Sequence, residues 1–140
     1  MIKLELSESD LNKLVKAGRE LSGNVMLDKL NNFRLLDGNC LAFDQTIILS
    51  TTPSVRLSTD NSGRLLIDII RLADNLIGGG VLWAAEGFVT GKIADKSKGL
   101  LHKETSSQLS LDLTKVLPVK AQIKKVTIQH QTLYLEISID

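Results

Sequence analysis

Apolar residues recur along this chain at a period of two in some stretches and of three to four in others. The changes of period mark its elements. Ile2, Leu4 and Leu6 alternate with Lys3 and Glu5, the pattern of a half-buried strand. Ser7 then offers an N-cap, and Asp10 three residues later makes a shortened capping box. Leu11, Leu14, Val15, Gly18 and Leu21 follow on one face of a short N-terminal helix that Gly23 ends. The run from Val25 to Leu36 reads as extended, and Asp37-Gly38 is a hairpin turn. Cys40 to Leu49 is the return strand, with Ile47, Ile48 and Leu49 contiguous and buried. After Pro53, Val55 and Leu57 alternate, and Asn61-Ser62-Gly63 turns the chain into Arg64–Leu72. In that strand Leu65, Ile67 and Ile69 point one way, while Leu66, Ile70 and Leu72 point the other way with Asp68. The pattern predicts a four-stranded meander.

The triple glycine Gly78-Gly79-Gly80 then breaks the chain, and no proline interrupts Val81 to Lys103. That span predicts a helix of about 35 Å at 1.5 Å per residue. Leu82, Ala85, Val89, Ile93 and Leu100 mark its apolar face, which Val81, Trp83, Ala84 and Phe88 widen near the N-terminal end. Gly87 and Gly91 each weaken a helix by up to about 1 kcal/mol relative to alanine, and their spacing permits close approach of a strand or a ligand, a tight helix–sheet contact being the plainer reason. Glu86, Lys92, Asp95, Lys96 and Lys103 form the polar face. Beyond the polar join Glu104–Gln108 come Leu109, Leu111 and Leu113, then Val116-Leu117-Pro118. A last hairpin pairs the Ala121–Ile128 region with Leu133, Leu135, Ile137 and Ile139 across a turn near Gln131.

A chain of 140 residues fits one domain, 1–140, and can bury a real core. Seventeen basic against 16 acidic residues and an aromatic content of 4% give no case for nucleic acid, which calls for a concentrated basic face and stacking rings. Cys40 is the only cysteine, so neither an internal disulfide nor a cysteine-type metal site is expected. The charged, alternating N-terminus reads as a strand and not a signal peptide, and no apolar run of about 18 residues is present to span a bilayer. A cytoplasmic location is the expectation.

His102 and His130 lie in no motif that supplies a partner for acid–base work, and no nucleophile elbow is present. The triple glycine precedes a predicted helix, as in a phosphate-cradling loop, but lacks the Gly-Lys-Ser/Thr ending. No enzyme, cofactor or metal is expected.

Four pieces, taken in order, resemble a known family. Leu6-Ser7-Glu8-Ser9-Asp10-Leu11-Asn12 enters the first helix, and Ser62-Gly63-Arg64-Leu65 enters a strand. Leu72 to Gly80 leads into the long helix, and Leu111-Asp112-Leu113 with Leu117-Pro118 precedes the final hairpin. Together they resemble the LmeA-like phospholipid-binding proteins of the tubular lipid-binding (TULIP) superfamily. The resemblance implies a strongly curved antiparallel sheet cradling one long helix, with acyl chains between them and no catalytic residues. Many relatives carry an export signal or a lipid anchor, and neither is read here. The length fits one minimal module, whose tunnel is short or completed by a second copy.

The expected fold is therefore α+β: a curved, mainly antiparallel sheet wrapped around one long helix, with a short N-terminal helix. The expected activity is binding, or transfer, of a phospholipid or fatty-acyl ligand, with transient membrane contact. The groove is assigned to Leu65, Ile67, Ile69, Leu76, Ile77, Leu82, Trp83, Ala85, Phe88, Val89 and Ile93. Any one of these residues alone is explained by core burial, and the case rests on their number and on both faces of the Arg64–Leu72 strand being apolar. The alternative is an interaction module whose surplus apolar surface is covered by a homodimer or another partner.

Overall fold

The structure, a computed structural model, describes residues 1–23, 27–46, 52–71, 90–95, 97, 99–115 and 119–139. The chain is α+β, with nine strands in two antiparallel sheets and, among the described residues, one helix of more than two turns, the N-terminal one; no long central helix is present among them. Strand β1 (Ile2–Ser7) runs into helix α1 (Glu8–Ser22). A single turn of 3-10 helix at Leu27–Lys29 leads to β2 (Leu30–Leu36), followed by β3 (Cys40–Gln45), β4 (Ser54–Thr59) and β5 (Leu65–Arg71). Then come β6 (Leu101–Thr105), β7 (Gln108–Leu111), a 3-10 turn at Leu113–Lys115, β8 (Ala121–Gln129) and β9 (Thr132–Ile139).

The capping box forms as read from the sequence. Asp10 N donates to Ser7 Oγ and Ser7 N donates to Asp10 Oδ2, both at 3.1 Å. The packed face of α1 differs from the expected one. Leu14 and Leu21 are 55% and 89% exposed, whereas Leu11, Asn12, Val15, Gly18 and Arg19 are half-buried. The reason is what α1 packs against. Its polar side chains engage the outer backbone of β2, an edge strand. Asn12 Nδ2 donates to Phe33 O at 2.9 Å while Phe33 N donates to Asn12 Oδ1 at 2.8 Å. Leu35 N donates to Glu8 Oε1 and Arg19 Nη2 donates to Leu30 O, each at 2.8 Å. A helix that caps an edge needs polar groups on its buried side, and that requirement displaces Leu14 and Leu21 into solvent.

The first four strands after α1 form the expected meander, with β7 and β6 added to give the order β2-β3-β4-β5-β7-β6. Register stacks apolar side chains in rows on one face. Leu35 faces Leu41, Leu41 faces Val55 and Val55 faces Ile69; in the next row Leu57 faces Ile67, which faces Leu109. The remaining strands form a separate sheet, β1-β9-β8. The core lies where the two meet: Leu35, Val55 and Leu57 from the larger sheet pack with Val126, Ile128 and Leu133 from the smaller. Burying each such leucine, isoleucine or valine contributes about 1.5–3 kcal/mol.

Two expectations are corrected here. The single curved sheet is instead two open sheets, neither closed on itself. The outer edge of β8 cannot extend because groups from the larger sheet occupy it. Ile123 N donates to Gly63 O at 2.8 Å, Ile128 N donates to Asn39 Oδ1 at 2.8 Å, and Asn39 Nδ2 donates to Val126 O at 3.3 Å. The helix predicted over Val81–Lys103 does not reach Lys103. Residues 90–95 are helical, Ser97 and Gly99 turn the chain, and Leu101 opens β6. Ser97 Oγ donates to Ala94 O at 2.6 Å and accepts from Leu101 N at 2.9 Å, closing the helix while starting the strand. Leu100 and His102 therefore belong to a turn and a strand, although their spacing continues a helical period. Residues 81–89 of that prediction, and Ile47, Ile48 and Leu49, lie outside the described residues.

Candidate functional site

The apolar rows of the larger sheet do not meet the smaller sheet everywhere. Beside the core they line a cavity of about 270 Å³. Its floor comes from alternate residues of neighbouring strands: Phe33 and Leu35 of β2, Leu41 and Phe43 of β3, Val55 and Leu57 of β4. Leu65, Ile67 and Ile69 of β5 continue it, with Leu109 and Leu101 beyond. Leu11 of α1, Leu133 of β9 and Ile93 complete the wall. Phe33 and Phe43 stack across the first hairpin, with ring centroids 5.3 Å apart and an interplanar angle of 27°. The short helical stretch bearing Ile93 is fastened by Thr90, fully buried, whose Oγ1 donates to Ser106 O at 2.6 Å.

Gln45 carries the polar side chain among the described lining residues. A cavity so lined gives water few hydrogen-bond partners and is suited to an apolar guest. It sits just under the roughly 300–1,000 Å³ of typical small-molecule sites. Such a lining favours an apolar guest over one that carries polar substituents.

Of the residues assigned to the groove from sequence, Leu65, Ile67, Ile69 and Ile93 are brought together on this wall. Leu76, Ile77, Leu82, Trp83, Ala85, Phe88 and Val89 lie outside the described residues. The sequence reading missed the β2–β3 hairpin as part of the lining. Its signal was present: Phe33 and Leu35 before Asp37-Gly38, and Leu41 and Phe43 after it, alternate as one face of a hairpin.

On the opposite face of β5, β6 and β7 the chemistry is different. Arg64 is clamped between two carboxylates, Nε to Asp60 Oδ2 at 2.8 Å and Nη1 to Glu104 Oε1 at 2.7 Å. Ser110, 2% exposed, donates from Oγ to the same Glu104 oxygen at 2.7 Å. That hydrogen bond, followed by the Arg64 charge, holds the Glu104 carboxyl below its ordinary value. Asp44 is lowered likewise by hydrogen bonds from Asn32 and then Thr52, with Arg34 nearby.

A small cleft of about 160 Å³ adjoins the Arg64 cluster, lined in part by Arg64, His102, Asp112 and Lys115. Arg64 is already neutralised by two carboxylates, which leaves it poorly suited to a free anion. Ser110 donates to Glu104, a carboxylate that this bond and Arg64 hold below its ordinary value and so make a weak base toward the hydroxyl. His102 stands on β6, exposed, across from Ser110 in register, and His130 is exposed in the β8–β9 turn. Among the described residues no group of histidine, cysteine, aspartate and glutamate side chains could hold a metal ion, and no helix is long and apolar enough to cross a membrane.

No protein-family model matches the chain, and no match was found among curated proteins or solved structures.

Proposed function

We propose that this protein binds the hydrocarbon chain of a fatty acid or phospholipid in the cavity on the apolar face of its larger sheet. The observation that carries the reading is the cavity itself: about 270 Å³ walled by aliphatic and phenylalanine side chains from six strands of the larger sheet, α1 and β9. Transfer of apolar surface from water into it contributes roughly 25 cal/mol per Å² buried. Binding is non-covalent and needs no catalytic group. The resemblance read from the sequence favours the same ligand class; Leu76, Ile77, Leu82, Trp83, Ala85, Phe88 and Val89 are assigned to the groove from their apolar pattern and lie outside the described residues. Carriage between membranes is the corresponding biological role.

The test is titration of a dansyl-labelled undecanoic acid into the protein after organic extraction, with displacement by unlabelled decanoate and by lysophospholipid. Saturable binding at one site, with displacement, is expected. Ile67→Trp, which fills the cavity from its floor, should weaken binding at least tenfold while the far-UV spectrum is kept. Unsaturable binding to folded protein, or undiminished binding by the folded tryptophan variant, would overturn the assignment.

A further inference from the structure

Two sheets have four edges, and two of them are engaged along their length by other parts of the chain. Asn12, Glu8 and Arg19 of α1 occupy the backbone of β2. Gly63 and Asn39 occupy that of β8, whereas β6 is held at its start alone, where Ser97 Oγ accepts from Leu101 N, and its sequence lacks the self-complementary charges of β1. The fourth edge is β1, which pairs with β9 on one side. Among the described residues no other element hydrogen-bonds to the backbone of Ile2–Leu6, and Ile2, Lys3, Leu4 and Glu5 are all exposed. Ile2 and Leu4 keep 44% and 39% of their surface in solvent, though they stand in register with Ile137 and Leu135 on an apolar face.

We propose that a second copy of this chain occupies that edge, its β1 antiparallel to the first about a twofold axis through Leu4. The sequence of the strand is self-complementary in that register. Leu4 meets Leu4 of the second copy, Ile2 meets Leu6, and Lys3 meets Glu5, so each contact occurs twice, as a closed twofold interface requires. Edge strands that must stay single carry charges of one sign, prolines or bulges, which repel or misfit a second copy. β1 carries one charge of each sign, placed symmetrically about its centre, and no register shift interrupts its pairing with β9. Pairing would join the two small sheets into one of six strands and continue the row of Leu4 and Leu135 across the axis. The inference does not depend on the cavity having a ligand.

Charge reversal tests it by sedimentation equilibrium over a wide range of concentration. Wild type should be a dimer that dissociates on dilution and weakens at high salt. Lys3→Glu places two acidic pairs across the axis and Glu5→Lys two basic pairs, so each variant alone should be monomeric. Mixed in equal amounts they should restore the dimer, because every pair is again opposite in sign. Lys3 also lies 3.8 Å from Glu136 within its own chain, a contact that mixing cannot repair, so recovery on mixing isolates the contact between copies. A monomeric wild type, a dimer in either single variant, or a mixture that stays monomeric would each overturn the proposal.

Discussion

Asn39 does the work of a missing strand with one side chain. Its amide donates to Val126 O and accepts from Ile128 N, the pair of bonds that a neighbouring residue in a ladder would make. Its own backbone sits at φ 63°, a left-handed conformation that asparagine tolerates better than most residues. Asn39→Ala leaves two part-buried backbone groups of β8 without partners and should cost about 2–3 kcal/mol in urea unfolding. Asn39→Gly should relieve the backbone but still lose the clamp. Gly63 faces a harder limit: φ is +80° and an added Cβ would lie 2.5 Å from Cβ of Gln122, close to the backbone. Alanine there should lower the melting temperature more than at any exposed glycine. The β8–β9 turn runs the other way. His130 and Gln131 have φ 54° and 56°, the two positive angles of a tight hairpin that Asn-Gly satisfies best. Replacing them by Asn-Gly should stabilise the protein by about 1 kcal/mol.

At the scale of elements, α1 is defined as much by its polar groups as by its leucines. Asn12→Ala should cost about 2 kcal/mol by stranding Phe33 N and O, while Leu21→Ala should fall within about 0.5 kcal/mol of wild type. Denaturant midpoints of the two variants decide this; comparable losses would mean that α1 packs on its leucine face. The pair β6–β7 carries the pH dependence. Glu104, held by Ser110 and then Arg64, has its folded value depressed below the ordinary 4.5. A depressed carboxyl adds stability that is present above the ordinary value and is lost as pH falls through the folded one. Glu104→Gln should therefore flatten the stability–pH curve in that acid window and leave its shape near neutrality unchanged.

How far these elements were legible follows from which interactions set them. β1, the cap of α1, the Asp37-Gly38 hairpin and the final hairpin are set by local period and turn chemistry, and the sequence shows all of them. The helix predicted through Lys103 fails because the last residue of its apolar face, Leu100, sits at a helical interval from Ile93 by coincidence. What decides there is Leu101 pairing with Leu111, a contact that no local pattern announces. Leu14 and Leu21 fail for a related reason, since the edge that α1 caps is invisible in its own sequence.

For the molecule as a whole, the cavity and the core share one surface, so the proposed ligand would be coupled to stability through it. A ligand that occupies the native cavity stabilises by mass action, about 2.7 kcal/mol at one hundred times its dissociation constant. The melting temperature should accordingly rise with decanoate concentration in wild type and stay flat in Ile67→Trp. β5 illustrates what could and could not be read of the site. The alternation of Leu65, Ile67 and Ile69 identified a buried face, but the facing elements Leu11, Ile93 and Leu133 come from across the chain and only the fold assembles them.

The pairing of β1 with β9 also governs the order of assembly. Ser7 lies opposite Thr132, so the smaller sheet must close a loop of nearly the whole chain before it exists. Loop-closure entropy is met before such a contact returns anything, and topologies of this kind fold slowly. The β2–β5 meander and its α1 cap need only nearby residues and can form while the chain is still being synthesised. β1 must then wait, apolar and unpaired, until the last hairpin emerges. During that interval the β1 of another nascent chain would be a partner of matching pattern, which makes the growing polypeptide a stage exposed to premature association.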